Sequence, residues 1–426
     1  MPQQSRKFPQ AALPAALLSL MAAAGPTSAN VTKDIEDALN FYHYGNNGAV
    51  KMDLSYRYEN VNQDDINQNT TGNKPNPDTA NANTARLRLG LLSPTFHGIQ
   101  GYAEFEGLYA MQEDYNSTRN GKTGYSVVAD PEKAELNQLW ISYAGIADTL
   151  IKGGRQRIKL DDDRFIGNVG WRQMEQTYDS VLITHNNQTL FGLTVNVGYI
   201  GNVTTFTATT ENINAPFLNL NYKVGDFGNM IAYGYWMDYT EKENYAKSNQ
   251  TYGLRFNGKH PVTDKLTALY TAEWSYQKDY QHSPVDYEVD RYNVMGGLTA
   301  FNLVTVQGAM EQLNGIGKNQ RFQTPLGTNH AFQGWADLFL VTPDNGIRDV
   351  FGTLSTNLGN DSVTVAGIFH DFTDDTGSLH YGDEWDFLAT KKFGKHYSLL
   401  AKYAYYNADQ FGTDTQKIWV QGNISF

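Results

Sequence analysis

The sequence predicts an all-β fold, a transmembrane antiparallel up-and-down β-barrel of about eighteen strands. Three observations predict it. Segments of about ten residues with period-two alternation recur from Ala49 onward, the length a tilted strand needs to cross an outer membrane. The connections between them alternate between short and long. After the leader there is no run of about 18 apolar residues, so the remaining chain has no helix suited to crossing a bilayer.

The chain opens on a secretory pattern. Arg6 and Lys7 form a short basic region, Ala11 to Ala24 is apolar and alanine-rich, and Thr27, Ser28 and Ala29 supply small residues before a cleavage point. Residues 1–29 are therefore expected to be a signal peptide whose removal leaves 397 residues. Residues 30–47 are expected to be a short periplasmic segment and 48–426 the barrel.

The first strand, Lys51 to Glu59, places Met52, Leu54, Tyr56 and Tyr58 on one face and Asp53, Ser55, Arg57 and Glu59 on the other. In the second, Ala85, Leu87, Leu89 and Leu91 oppose Arg86 and Arg88. Further along, Phe191, Val195, Val197 and Tyr199 oppose Thr194 and Asn196, and Tyr270, Trp274 and Tyr276 oppose Thr271, Glu273, Ser275 and Gln277. Charges of this kind are rejected by lipid, so the polar faces are expected to line a watery lumen. In the last strand Ile418, Val420, Ile424 and Phe426 alternate with Lys417, Trp419, Gln421 and Ser425, and the closing aromatic suits a membrane interface.

Short turns are expected at Ser93 to Gly98, Gly145 to Asp148, Asn186 to Thr189, Gly225 to Gly228, Asn302 to Leu303, Gly359 to Asp361 and Gly394 to His396. Long loops are expected at Asn60 to Asn83, Gln112 to Lys133, Arg157 to Glu175, Gly201 to Ala215 and Asn314 to Asn345. Short periplasmic turns, long outer loops and an even strand count belong together in an outer-membrane barrel of a Gram-negative bacterium. A secreted sandwich or propeller also alternates, but it does not need tyrosines at strand ends. Tyr143, Tyr199, Tyr222, Tyr239, Tyr252, Tyr276, Tyr397 and Tyr406 are expected there, at headgroup level.

Composition narrows the function. Removing the leader takes away two of 33 basic residues and none of 45 acidic ones, leaving a formal charge of −14, which argues against nucleic-acid binding. There is no cysteine, so disulfides, thiol catalysis and thiolate metal sites are excluded. Asp64 to Asn69 and Asp161 to Asp163 lack the alternation, glycine and distal glutamate of a calcium loop, and read as solvated or salt-bridged loops. His370 beside Asp371 suggests a catalytic pair, yet no nucleophile-elbow motif occurs, so a packed lumen histidine is the expectation and the chain is not expected to be an enzyme. No cofactor is implied.

The most distinctive stretch is Gly154-Arg155-Gln156-Arg157-Ile158-Lys159-Leu160-Asp161-Asp162-Asp163-Arg164-Phe165-Ile166-Gly167-Asn168-Val169-Gly170-Trp171-Arg172-Gln173-Met174-Glu175-Gln176-Thr177-Tyr178-Asp179, a charge-rich loop between two strands. It resembles the hallmark segment of the alginate-export family of outer-membrane porins. Phe322 to Leu326, His330 to Asp337 and Arg348-Asp349 resemble a second segment, and His370 to Phe372 with Tyr381 to Asp386 a third. The resemblance runs from about Met52 to Phe426. It implies an eighteen-stranded monomer whose lumen, narrowed by inward loops, passes an anionic polyuronate. A general diffusion porin for small anions or nutrients is the alternative reading.

A solute path is expected along Arg86, Arg88, Lys152, Arg155, Arg157, Arg164, Arg172, Arg255, Arg291, Arg321 and Arg348. Guanidinium groups present a planar fork that matches a carboxylate and stay charged at any relevant pH. Asp161, Asp163, Glu175 and Asp179 are expected to hold the cations in place and keep any one from binding too tightly. Some of the cations are equally expected to be structural ion-pair partners. The expected partners are outer-membrane lipid, the barrel assembly machinery through the C-terminal strand, and an anionic saccharide.

Overall fold

The computed structural model describes residues 43–64, 76–187, 192–358 and 363–426. The leader, residues 30–42, Asp65 to Asn69, Gln188 and Thr189 of one expected turn, Phe191 and the turn at Gly359 to Asp361 lie outside the described residues. The two-residue strand β1 (His43–Tyr44) folds back on β2 (Gly48–Asp64). There follow β3 (Ala80–Leu92), β4 (Ile99–Asp114), β5 (Lys133–Ile146), β6 (Thr149–Gln156), β7 (Thr177–Asn187), β8 (Leu193–Thr204) and β9 (Thr210–Val224). Next come β10 (Gly228–Tyr239), β11 (Asn249–Thr263), β12 (Leu266–Asp279), β13 (Glu288–Ala300) and β14 (Val304–Leu313). A small hairpin of β15 (Gly315–Gly317) and β16 (Gln320–Arg321) sits inside a long loop. The chain finishes with β17 (Ile347–Leu358), β18 (Val363–Thr373), β19 (His380–Phe393), β20 (Tyr397–Ala408) and β21 (Asp414–Ser425).

Eighteen of these, β2 to β14 and β17 to β21, pair antiparallel with their sequence neighbours, and β21 pairs with β2 from Asp53↔Ser425 to Asp64↔Asp414. The sheet is therefore a closed up-and-down barrel with no unpaired edge, the arrangement that satisfies every backbone polar group in a bilayer.

Burial along β2 and β3 is inverted relative to a soluble protein. In β2, Ser55, Arg57 and Glu59 are buried while Leu54 and Tyr56 are exposed. In β3 Leu87, Leu89 and Leu91 are exposed, whereas Thr84 and Arg86 are buried. Exposed Tyr143, Tyr222, Phe227 and Phe301 ring the short-turn end, and Tyr199, Tyr252, Trp274 and Trp385 the long-loop half, a pair of aromatic girdles of the kind that mark the interfaces of a bilayer. Two of the tyrosines expected in those girdles are elsewhere. Tyr239 and Tyr406 are fully buried inside the barrel, because their register places them on the inward face, beneath the loops.

Two of the long loops fold inward rather than standing in solvent. Residues 157–176 and 314–346 bring Ile158, Leu160, Phe165, Ile166, Leu326, Ala336 and Phe339 into one apolar core with the inward faces of the wall. The inward face of β10 is itself apolar, with Ile231, Tyr233, Tyr235, Met237 and Tyr239 all buried. One expected long loop is short: β8 continues to Thr204 and β9 resumes at Thr210, so the connection expected over Gly201 to Ala215 is only 205–209. The polar residues there are inter-strand partners, Asn202 facing Asn212 and Thr204 facing Thr210.

Candidate functional site

The loop 157–176 starts at the end of β6 and crosses the lumen, touching walls on opposite sides. Toward β2, Arg172 donates to Asp130 at 2.6 Å and to Glu59 at 3.1 Å, with all three buried. Arg57 of β2 donates to the Trp171 carbonyl at 2.5 Å, and its guanidinium lies 4.4 Å from the indole centroid. Toward β3 to β5, Glu175 is the hub. It accepts from Arg157 at 2.5 Å, Asn137 at 2.6 Å and Asn168 at 2.7 Å, while Arg157 also reaches Glu104 at 3.0 Å. Arg88 pairs with Glu106 at 2.5 Å, and Arg86 pairs with Asp53 and donates to the Gln173 carbonyl at 3.1 Å.

On the far wall Arg164 donates to Glu311 of β14 at 3.0 Å, to Asn329 at 3.1 Å and to Gln333 at 2.9 Å. Arg291 shares Glu311 at 2.6 Å and meets Glu273 at 3.1 Å. Arg255 pairs with Asp162 and lies 3.6 Å from Glu273. Buried charges are tolerated only when paired and hydrogen-bonded in this way. The Arg172 guanidinium and the Gln173 backbone N–H hold the Asp130 carboxyl below its usual range against the burial that would raise it.

The second inward loop, 314–346, is fastened by a cluster around Lys402 of β20. Its amino group lies 3.5 Å from the Trp335 ring centroid and 4.1 Å from that of Trp171, and donates to His330 Nε2 at 2.6 Å. His330 stacks on Trp171 at 4.3 Å and bonds Asp337 through Nδ1 at 2.6 Å; Asp337 also accepts from Lys417 at 2.7 Å. Because Nε2 accepts from Lys402, the imidazole is neutral with its proton on Nδ1, and burial depresses its pKa to about 3. Nearby, the backbone N–H groups of Trp335 and Ala336 donate to Asp386 at 3.2 Å and Glu384 at 2.7 Å. Gly334 permits that approach, since its φ is +80° and a Cβ would collide with the Glu384 carboxylate.

Two cavities lie between these loops and the short-turn end. One, of about 410 Å³, is faced by Lys51, Arg88, Lys152 and Arg157 against Asp53 and Glu104, with Tyr102 and Trp140 as aromatic walls. The Lys152 amino group lies 4.6 Å from the Trp140 centroid. The other, of about 330 Å³, lies under Lys159 to Asp162 on the β8 to β11 wall. Enclosure in the lumen, helped by the neighbouring Asp162, pushes the Asp161 carboxyl up to about 6.

The structure distributes the sequence-expected path residues unevenly. Arg86, Arg88, Lys152, Arg157, Arg164, Arg172, Arg255 and Arg291 are inside the barrel, as are Asp161, Asp163 and Glu175 on the crossing loop. Arg155 and Asp179 correct the expectation. They pair with each other at 2.7 Å, and register puts Arg155 opposite Leu139, on the outward face shared with exposed Ile141 and Val181. Arg348 likewise shares the outward register of exposed Val350 and Leu354, so the inward member of that pair is Asp349. Arg321 lies in the β15–β16 hairpin and pairs with Asp344 of the same loop. His370 pairs with Asp349 at 3.0 Å across β17 and β18, whereas Asp371, on the opposite face, meets His380 at 3.0 Å. Sequence reasoning put Glu59 on the lumen face without a role and did not name Glu104, Glu311 or Lys402. The alternation that flagged the arginines also flags these, but pairing across the lumen has no local signal.

Comparison with known proteins agrees with this architecture. The family model described as alginate export matches residues 50–296, which takes in the crossing loop and ends before the second and third resembling segments. No curated protein sequence matches the chain. Among solved structures, Pseudomonas aeruginosa OpdK with vanillate is similar at TM-score 0.68 and 11% identity, covering 88% of this chain and 98% of OpdK. Pseudomonas aeruginosa OccK9 (OpdG) is similar at 0.69 and 11%, covering 89% and 99%. A BenF-like porin from Pseudomonas fluorescens Pf-5 is similar at 0.68 and 15%, covering 90% and 100%. At these identities the likeness shows the fold, an outer-membrane porin barrel. With more than half its length matched by the family model and a closed eighteen-strand barrel around an ion-paired inward loop, the chain belongs to the alginate-export family and is an outer-membrane porin.

Proposed function

We propose that this porin passes small anionic solutes passively, and that polymeric alginate is not its cargo. One observation carries the reading: loops 157–176 and 314–346 are bonded to opposite walls of the lumen, and the cavities beside them include ones of about 410 and 330 Å³, the low end of the roughly 300–1,000 Å³ that small-molecule sites occupy. A polymer sliding through would have to break the buried Arg172 and Arg164 pairs. In the larger chamber Arg88 and Arg157 are already paired with Glu106, Glu104 and Glu175, so the local field that favours an anion comes from Lys51 and Lys152, which face the same space. Tyr102 and Trp140 add surface for an aromatic ring. Vanillate, bound in the similar OpdK structure, is an aromatic carboxylate, the class such a chamber suits.

Family membership supports a second reading, export of an anionic polysaccharide, in which the loops swing out of the lumen. In either case the porin is a monomer, the assembly machinery recognises β21, and no catalytic step is involved. The test is selectivity in planar bilayers. Lys152→Gln with Arg157→Gln is expected to lower the anion-to-cation permeability ratio severalfold, and sodium vanillate is expected to enter proteoliposomes without competition from alginate oligomers. An unchanged ratio sinks the small-anion reading, and strong competition by the oligomers favours the polymer.

A further inference from the structure

The second chamber has a different chemistry from the first. Cross-strand register pairs Asn196 with Asn219, Thr194 with Asn221, and Asn229 with Asn257. All six face the lumen, because the alternate residues Val197, Tyr222, Met230 and Leu254 are exposed on the outside. They line the cavity of about 330 Å³ at the short-turn end of the wall. Its charged ceiling is balanced, two cations against two carboxylates, Lys159 and Arg255 with Asp161 and Asp162. An ion gains little there, so the recognition such a wall offers is hydrogen bonding.

We infer that this chamber is a binding site for an uncharged sugar ring. A carboxamide presents a donor and an acceptor in one plane, matching adjacent hydroxyls that each donate and accept. The Asn219 amide donates to Asp161 at 2.7 Å and to the Tyr235 hydroxyl at 3.2 Å, and Thr184 donates to Asn196 at 2.8 Å, so those groups are positioned. The side-chain oxygens of Asn221 and Asn257, by contrast, are buried with no hydrogen-bond partner among the described residues. Buried acceptors left in that condition are uncommon and costly. Rotation about the soft terminal torsion of asparagine turns each toward a hydroxyl in the chamber. Ile231 adds an apolar patch for the C–H face of the ring. The site is separate from the cationic chamber and does not depend on the small-anion reading.

The test is saturation-transfer NMR on the full mature chain in deuterated detergent, with the methyl α-pyranosides of glucose, galactose and mannose as probes. At least one glycoside is expected to give a saturable signal. Asn221→Leu with Asn257→Leu, in protein that keeps its heat-modifiable mobility, is expected to weaken it about tenfold or more. Thr194→Val with Asn229→Ala, a second pair that conserves volume more closely, is expected to act in the same direction. Absence of a saturable signal from all three glycosides, or equal signals from wild type and both folded variants, overturns the inference. Glycoside binding in a barrel that shows no anion preference would instead overturn the proposed function and leave this site standing.

Discussion

Arg172 shows what a charged residue does inside this barrel. Its side chain is 9% exposed, and its partners Glu59 and Asp130 are 0% and 1% exposed, so its removal strips buried Glu59 of its ion pair and leaves Asp130 only Arg57, at 3.9 Å. Arg172→Ala is expected to destabilise the barrel by about 3–5 kcal/mol, read as a lower urea midpoint for loss of the compact electrophoretic form. Arg172→Lys keeps the charge without the fork and is expected to recover part of that loss. An unaltered midpoint in the alanine variant would mean that the ion pairs are dispensable. At this scale the sequence was half legible. That Arg86, Arg88 and Arg57 face the lumen follows from period two alone, whereas Arg155 and Arg348 were misassigned because a motif, rather than the register of their own strands, placed them. Which carboxylate each inner arginine meets depends on partners as far apart as Arg164 and Glu311, and local spacing carries no trace of that.

The docking of loop 314–346 is governed by His330. Burial depresses its pKa to about 3, while the same imidazole released from the wall titrates near 6.5. Well above pH 6.5 neither form is protonated and the His330 contribution to docking is constant. As pH falls from there toward 3 the undocked loop takes up a proton that the docked one refuses, so docking weakens. At pH 4.5 the expected loss is about 2–3 kcal/mol, measured as faster amide exchange over residues 329–337. His330→Gln is expected to remove this share of the pH dependence, and a wild type and variant with the same change in protection between pH 7 and 4.5 would refute it. Strands were the most legible elements, since their apolar residues face lipid at every second position. The apolar inward stripe of β10 was not legible, because what covers it is a loop arriving from elsewhere in the chain. The tight connection at 205–209 was hidden for a related reason: asparagine and threonine read as loop formers even where they pair across a ladder.

Selectivity belongs to the whole molecule, since it reflects the field summed over the lumen rather than any single contact. Asp161, held up at about 6, is charged above that pH and neutral below it. Acidification through pH 6 therefore removes one negative charge beside Lys159 and Arg255, and the reversal potential in a salt gradient is expected to move toward anion preference. Asp161→Asn is expected to hold the acidic value at every pH, and a wild-type shift that survives in this variant would assign the titration to another group. Barrel, strand number and membrane setting were all legible from alternation, whereas the filled lumen was not, because inward folding of loops is settled by contacts between distant segments. The pairing of β2 with β21 has a consequence for biogenesis. Ser425 donates to Asp53 at 2.5 Å across 372 positions of sequence, so the seam that zips the cylinder shut cannot form until β21 has been made. Until then both flanking edges are sticky templates, and the slow step of maturation is a topological one: an escort must keep two distant ribbons apart until they can be stitched together.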